Sequence, residues 1–212
     1  MKHFAQLDQD AWIESLFPKG YKGYFVDIGA ATGKHISNSY HLEVNLGWNG
    51  ICVEPNPQSY AELKGVRKCL SFNLAIADRT GTAKFTLKGE MSQIVFENDS
   101  ENLDIFGRGP SHEVIDVEVI TPTELLKRAN APKVIDYLSL DTEGNERYIL
   151  SVFPFHEYKV KAITVSGTST TTTTCTPATF TGSGQIRFVV TSPSGTVNTA
   201  SVCAEVTHVV SP

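Results

Sequence analysis

The chain has 212 residues, of which 41% are hydrophobic and 19% charged, and a formal net charge of −5. That length fits one domain, or one domain with an appendage. The acidic balance and the lack of a long Lys/Arg run exclude duplex nucleic-acid binding, which needs a basic stripe to neutralise phosphates.

The amino terminus, Met1-Lys2-His3-Phe4, runs straight into Gln6, Asp8 and Asp10. It lacks an apolar h-region, so no signal peptide and a cytoplasmic location are expected. No apolar run approaches the ~18–20 residues that span a bilayer, so no membrane association is expected. Residues 8–17 place Trp12, Ile13, Leu16 and Phe17 on helical spacing, with Asp8 as the expected N-cap. Residues 24–28 form a short apolar run ending at Gly29, and residues 51–53 another ending at Glu54-Pro55; both read as buried strands. Residues 58–66 read as a helix and 70–77 as one strand. Asp78-Arg79-Thr80-Gly81 then turns the chain into a strand over 83–87. Residues 114–120 alternate as a strand. Thr121-Pro122-Thr123-Glu124 opens a helix, with Thr121 as cap and Pro122 in the first helical position. Residues 134–140 are an apolar strand ending at Asp141, 146–152 are helical, and 160–165 form the last strand of this pattern. Strands alternating with helices imply an α/β fold with a doubly wound, mostly parallel, Rossmann-like sheet.

The composition changes after Val165. Over residues 166–212 Arg187 and Glu205 are the only Asp, Glu, Lys or Arg, and residues 170–174 are all threonine. The expected organisation is a binding domain over 1–165, a Thr/Ser/Gly-rich linker over 166–184 and a hairpin-like β tail over 185–212. The four cysteines, Cys52, Cys69, Cys175 and Cys203, form no CxxC pair, so no zinc site of that type is expected. Cys52 reads as core. Cys175 and Cys203 could pair only if the tail folds in an oxidising compartment.

Ligands of doubly wound sheets bind at the carboxyl ends of the strands, so the residues just after each strand matter most. After the first strand comes Asp27-Ile28-Gly29-Ala30-Ala31-Thr32-Gly33, in which Gly29 permits a tight turn and small residues bare backbone N–H groups. After the second comes Glu54, 25 residues past Gly29, placed to accept hydrogen bonds from a ribose diol. Asp78 follows the third region and could reach an adenine amino group, or serve only as a turn residue. A dinucleotide site wants G-x-G-x-x-G, a fingerprint that Gly29-Ala30-Ala31-Thr32-Gly33 does not complete. D-x-G-x-x-x-G is instead the pattern of an S-adenosylmethionine site. The expected cofactor contacts are Asp27, Gly29, Ala30, Gly33, Glu54 and Asp78.

Several segments together resemble the FkbM family of methyltransferases. They are Gly23-Tyr24-Phe25-Val26-Asp27-Ile28-Gly29-Ala30, Ser39-Tyr40-His41-Leu42-Glu43, Gly47-Trp48-Asn49-Gly50-Ile51-Cys52-Val53-Glu54-Pro55-Asn56 and Ile135-Asp136-Tyr137-Leu138-Ser139-Leu140-Asp141-Thr142-Glu143-Gly144-Asn145-Glu146. Tyr148-Ile149-Leu150 and Phe153-Pro154-Phe155 continue the last of them. The resemblance runs over about residues 9–165. It implies a class I methyltransferase fold and methyl transfer from S-adenosylmethionine to a hydroxyl of a sugar or natural-product-like small molecule. Asp141 and Glu143, after the fourth strand, are the expected catalytic pair. Either could act as base, or the two could hold a divalent cation, for which oxygen ligands would suit Mg²⁺. Asp141 could instead contact only the ligand's amino group, and Glu143 only cap the following helix. Glu43 and Arg67 also match family positions, and each could equally be half of a buried ion pair. Family members continue after the strand ending at Val165 with a Glu-His-Asn run, where this chain reads Ser166-Gly167-Thr168. That departure keeps open a module that binds the cofactor without transferring the methyl group, and a remnant whose β-rich tail is the working part. An NAD-linked oxidoreductase ranks last, on the incomplete glycine fingerprint.

Overall fold

The computed structural model describes residues 3–87, 92–95, 113–166 and 187–191. In chain order the elements are α1 (Gln9–Ser15), β1 (Tyr24–Ile28), α2 (Tyr40–Val44), β2 (Asn49–Val53), α3 (Pro57–Val66), β3 (Leu70–Phe72), β4 (Ala75–Ile76), β5 (Gly81–Leu87), β6 (Gln93–Val95), β7 (Glu113–Ile120), α4 (Pro122–Arg128), β8 (Val134–Leu140), α5 (Glu146–Val152), β9 (Lys159–Ser166) and β10 (Arg187–Thr191). The main sheet has six strands in the order β10-β9-β8-β1-β2-β3, and every pairing in it is parallel. A second sheet, β4-β7-β5-β6, pairs β4 with β7 in parallel and the rest antiparallel.

Alternating side chains of the central strands feed two cores. Val26 and Ile28 of β1, with Ile51 and Val53 of β2, pack on Leu125 and Leu126 of α4 and Ile149 of α5. Phe25 and Cys52, on the opposite face, pack with Ile13 of α1, Leu42 of α2 and Leu63 of α3. Helices therefore cover both faces, and the sheet is doubly wound. The second sheet joins the first core through Leu74, Ile76 and Ile120.

The helix opening at Thr121 follows its sequence signature. Thr121 accepts a hydrogen bond from the Glu124 amide at 3.2 Å, with Pro122 behind it. At α1, Asp8 stands at the N-cap position with a left-handed φ of 57° and makes no side-chain cap bond. The amino-terminal turn is held instead by Asp10, which accepts from the Phe4 amide at 2.7 Å, and by Gln9, which accepts from the Leu7 amide at 2.8 Å.

The single strand expected over 70–77 is two strands in two sheets. Asn73 is the break: its amide nitrogen donates to the carbonyls of Glu54 at 2.8 Å and Pro55 at 3.0 Å, tying the chain to the loop after β2. Of the tail, residues 187–191 form the edge strand β10, parallel to β9. The remainder of the linker and hairpin-like tail, with Cys175 and Cys203, lies outside the described residues. No described helix is long and apolar enough to cross a membrane.

Candidate functional site

Strand order sets where a ligand can sit. From β1 the chain winds outward through β2 and β3, and later through β8 and β9 on the other side, so the crevice between the β1 and β8 carboxyl ends is the topological switch point. The two loops meet there. The Asp141 amide donates to the Ile28 carbonyl at 2.9 Å, and the amides of Gly29 and Ala30 both donate to the Val53 carbonyl at 3.0 Å. Gly29 has a φ of +89°, and a Cβ on it would lie 1.7 Å from the Asp141 carbonyl oxygen. Only glycine lets β1 turn out against β8 so closely.

A cavity of about 500 Å³ opens at this point, within the ~300–1,000 Å³ range of small-molecule sites. Asp27, Gly29, Ala30, Glu54, Asp141 and Glu143 all line it. Two expected contacts do not. Gly33 is buried behind the loop, where a Cβ would sit 3.0 Å from Arg67 and Leu63; it serves packing. Asp78 is exposed in the turn beyond β4, and the wall on that side is built by Leu74, Ala75 and Ile76. The turn reading of Asp78 fits that place.

The wall is strongly acidic, and no Lys or Arg is among its described lining residues. Glu54 is buried, with one oxygen accepting the Ala31 amide and the other the Asn56 amide, both at 2.8 Å. Burial outweighs these bonds and pushes its carboxyl up to about 7. Asp141 is likewise pushed up to about 7, first by burial and then by the neighbouring charges of Glu143, Asp27 and Glu146, against a hydrogen bond from Ser166. Asp27 is raised by burial, opposed by Arg67 and by hydrogen bonds from Ser39 and Ser139. Among the described residues Asp141 and Glu143 do not join a third His, Cys, Asp or Glu in a group whose ligand atoms lie within 4.8 Å of one another.

These raised values carry a sign. A carboxyl whose folded pKa exceeds its unfolded one holds more protons when folded, so stability falls as pH rises through the gap between the two. For Glu54 and Asp141 that gap runs from ordinary carboxylate values to about 7. The ligand-free chain should therefore melt several degrees lower at pH 8 than at pH 5.5. A differential scanning series over that range checks this, and a melting temperature that climbs with pH would contradict it.

Residues behind the wall hold it in shape. Arg67 is buried and pairs with Glu43, so the ion-pair reading of these two describes their geometry. Its guanidinium also donates to the Gly33 carbonyl at 3.0 Å, Ser39 Oγ at 2.9 Å and Ser37 Oγ at 3.4 Å. Glu43 further accepts the amides of Lys68 and Cys69. After β8 the loop is organised by Glu146. Glu146 accepts from the Thr142 amide at 2.7 Å, Thr142 Oγ1 at 2.9 Å and the Gly144 amide at 3.1 Å. Glu143 lines the cavity with a left-handed φ of 57°. Among the lining residues that escape the sequence reading are Ser166, Gln6 and Asn38. Asn38 donates to Ser139 Oγ at 3.1 Å, pinning the loop to β8. Ser166 stands where the family's Glu-His-Asn run begins, and that replacement marks the position without revealing its bond to Asp141.

Residues 27–178 match the family model of the methyltransferase FkbM domain. The match starts inside β1 and continues past Val165, where the resemblance read from the residues stops. No curated protein and no solved structure matches the chain. With nearly three quarters of its length under one family model, on a doubly wound parallel sheet with its cavity at the switch point, the chain belongs to the FkbM methyltransferase family.

Proposed function

We propose that the chain transfers a methyl group from S-adenosylmethionine to a hydroxyl oxygen of a small molecule of the sugar or natural-product kind. The observation that carries this reading is the sign of the cavity: Asp27, Glu54, Asp141 and Glu143 line it without a described Lys or Arg. A ligand with a sulfonium and an ammonium against one carboxylate is net positive and suits such a wall. A dinucleotide pyrophosphate is doubly negative and would be repelled, the more so without the full glycine fingerprint.

In this reading the Gly29–Ala31 backbone passes the amino-acid part of the ligand. Glu54 takes the ribose hydroxyls on oxygens that each already accept one amide and have a lone pair to spare. Bound hydroxyl donors favour the charged carboxylate, so affinity should rise over the same pH window in which the ligand-free chain loses stability. Asp78 and Gly33 are left out of the contact set because of where they sit.

Methyl transfer is an in-line displacement. The acceptor oxygen attacks the methyl carbon, the carbon–sulfur bond breaks onto sulfur, and the acceptor proton must leave. A base works best with a pKa near the working pH, and Asp141, at about 7 and beside the loop crossing, meets that condition. Glu143 keeps that carboxyl high by repulsion. No step here runs through a metal ion.

The test pairs Asp141→Asn with a binding assay and a turnover assay that scores product by its added methyl mass. Asp141→Asn should bind S-adenosylmethionine within a few-fold of the parent while turnover falls by about 10²–10⁴, the usual contribution of general base catalysis. Unchanged turnover would remove Asp141 from the chemistry. Tight binding by the parent, with no turnover across a panel of sugar and polyol hydroxyls, would favour a binding module, the reading that Ser166 in place of the Glu-His-Asn run supports.

A further inference from the structure

On the face of the fold covered by α1 and α2, outside the described lining of the acidic cavity, His3, Asp10 and His41 come together. One nitrogen of each imidazole and one oxygen of Asp10 all lie within 4.8 Å of one another. The two rings are 4.8 Å apart, centroid to centroid, and tilted by 54°.

Three features set this cluster apart from an ordinary polar contact. His3 Nδ1 is buried and has no hydrogen-bond partner. It faces Asp10 Oδ1 at 3.6 Å, too long for a hydrogen bond. Two ligand atoms bound tetrahedrally at about 2.0–2.1 Å lie about 3.3–3.4 Å apart, so the gap is close to what a shared cation requires. Asp10 is fully buried, and its one ion-pair partner among the described residues is that imidazole. A buried carboxylate needs such compensation. Finally, the surroundings already orient the ligands. Asp10 accepts the amides of Phe4 and Ala11 at 2.7 and 2.9 Å. His41, also fully buried, has Asn45 at Nδ1 (2.9 Å) and Glu14 at Nε2 (2.8 Å), so the ring nitrogen that takes the ion gives up its present contact. The contact at the other nitrogen then sets the ring, as in ligating histidines generally.

We propose that His3, Asp10 and His41 bind a divalent transition metal ion, zinc by the chemistry of two imidazoles and a carboxylate. Water or the Glu14 carboxylate beside His41 supplies the fourth position. The ion is structural. It clasps the amino-terminal segment to α1 and α2, and that segment carries Gln6 and Leu7 into the cavity wall. The proposal stands independently of the methyl-transfer reading, since none of the three residues lines the cavity and the ligand differs.

The test uses the full chain, tag-free and stripped with a chelator, titrated with Co²⁺ while the visible ligand-field absorption is followed. One equivalent should bind with a spectrum of low coordination number, be displaced by Zn²⁺, and raise the melting temperature. His3→Ala removes a ligand at a half-exposed position and so should still fold. Loss of a mere supporting partner costs about 10–100-fold in metal affinity, and loss of this ligand should cost at least as much. Asp141→Asn, in the cavity, should leave the titration unchanged. No stoichiometric binding by the folded parent overturns the proposal. So does binding that His3→Ala leaves intact.

Discussion

Gly29→Ala should yield a chain that binds no S-adenosylmethionine and melts far below the parent. Two costs combine. A left-handed φ costs a non-glycine residue about 1–2 kcal/mol. The added Cβ would also lie 1.7 Å from the Asp141 carbonyl oxygen, a backbone atom fixed by the amide bond of Asp141 to Ile28. One of the two loops must move, and both line the cavity. A total above ~4 kcal/mol is expected, which belongs to the rare class of backbone-strain substitutions. At about 2–4 °C per kcal/mol for a chain of this size, the melting temperature should fall by roughly 8 °C or more. Gly65→Ala is the control. Gly65 lies exposed in α3, and a Cβ there would meet nothing within 4 Å, so alanine should be neutral or slightly stabilising. If the two substitutions behaved alike, the loop crossing would not be the constraint described above.

Arg67→Met carries the second large effect. The methionine keeps much of the stem volume and removes the charge. Glu43 loses its partner, and Asp27 loses the cation that opposes its burial. Breaking a buried pair from one side typically costs about 3–5 kcal/mol, because the other charge stays buried and uncompensated. The loop over 33–39 loses three hydrogen bonds besides, so ligand affinity should fall together with stability. Arg67→Lys should rescue little. The contacts are a planar fork reaching Glu43, Gly33, Ser37 and Ser39, and an ammonium is a point charge. Thermal melts and ligand titrations of both variants check this; a lysine variant that melts with the parent would contradict it.

Much of the site can be read in the sequence because it sits where strands end. Gly29, Glu54 and Asp141 each follow an apolar run, and the switch-point rule turns that position into a place in the fold. The Thr121-Pro122 helix start is equally local, since cap and first turn lie within four residues. The rest depends on partners distant in sequence. Residues 74–77 are buried, and nothing in the apolar run over 70–77 marks the break that Asn73 makes by bonding Glu54 and Pro55. Asp8 has the residue type of a cap, but its backbone is left-handed and Asp10 does the holding. Gly33 matches a loop pattern, while its space is set by Leu63 and Arg67. α2, with five residues, is too short to show a period. Glu146 reads as the first residue of a helix, and only the folded loop shows it collecting Thr142 and Gly144. His3 and His41 are 38 positions apart, and nothing local links them.

The most direct test of the central claim is calorimetric titration of the purified chain with S-adenosylmethionine and, separately, with NAD, repeated on Glu54→Ala. Micromolar binding of S-adenosylmethionine, none of NAD, and a sharp loss of affinity in Glu54→Ala are expected from an acidic cavity at the switch point. Binding of NAD instead, or no binding of S-adenosylmethionine by the folded parent, would contradict it.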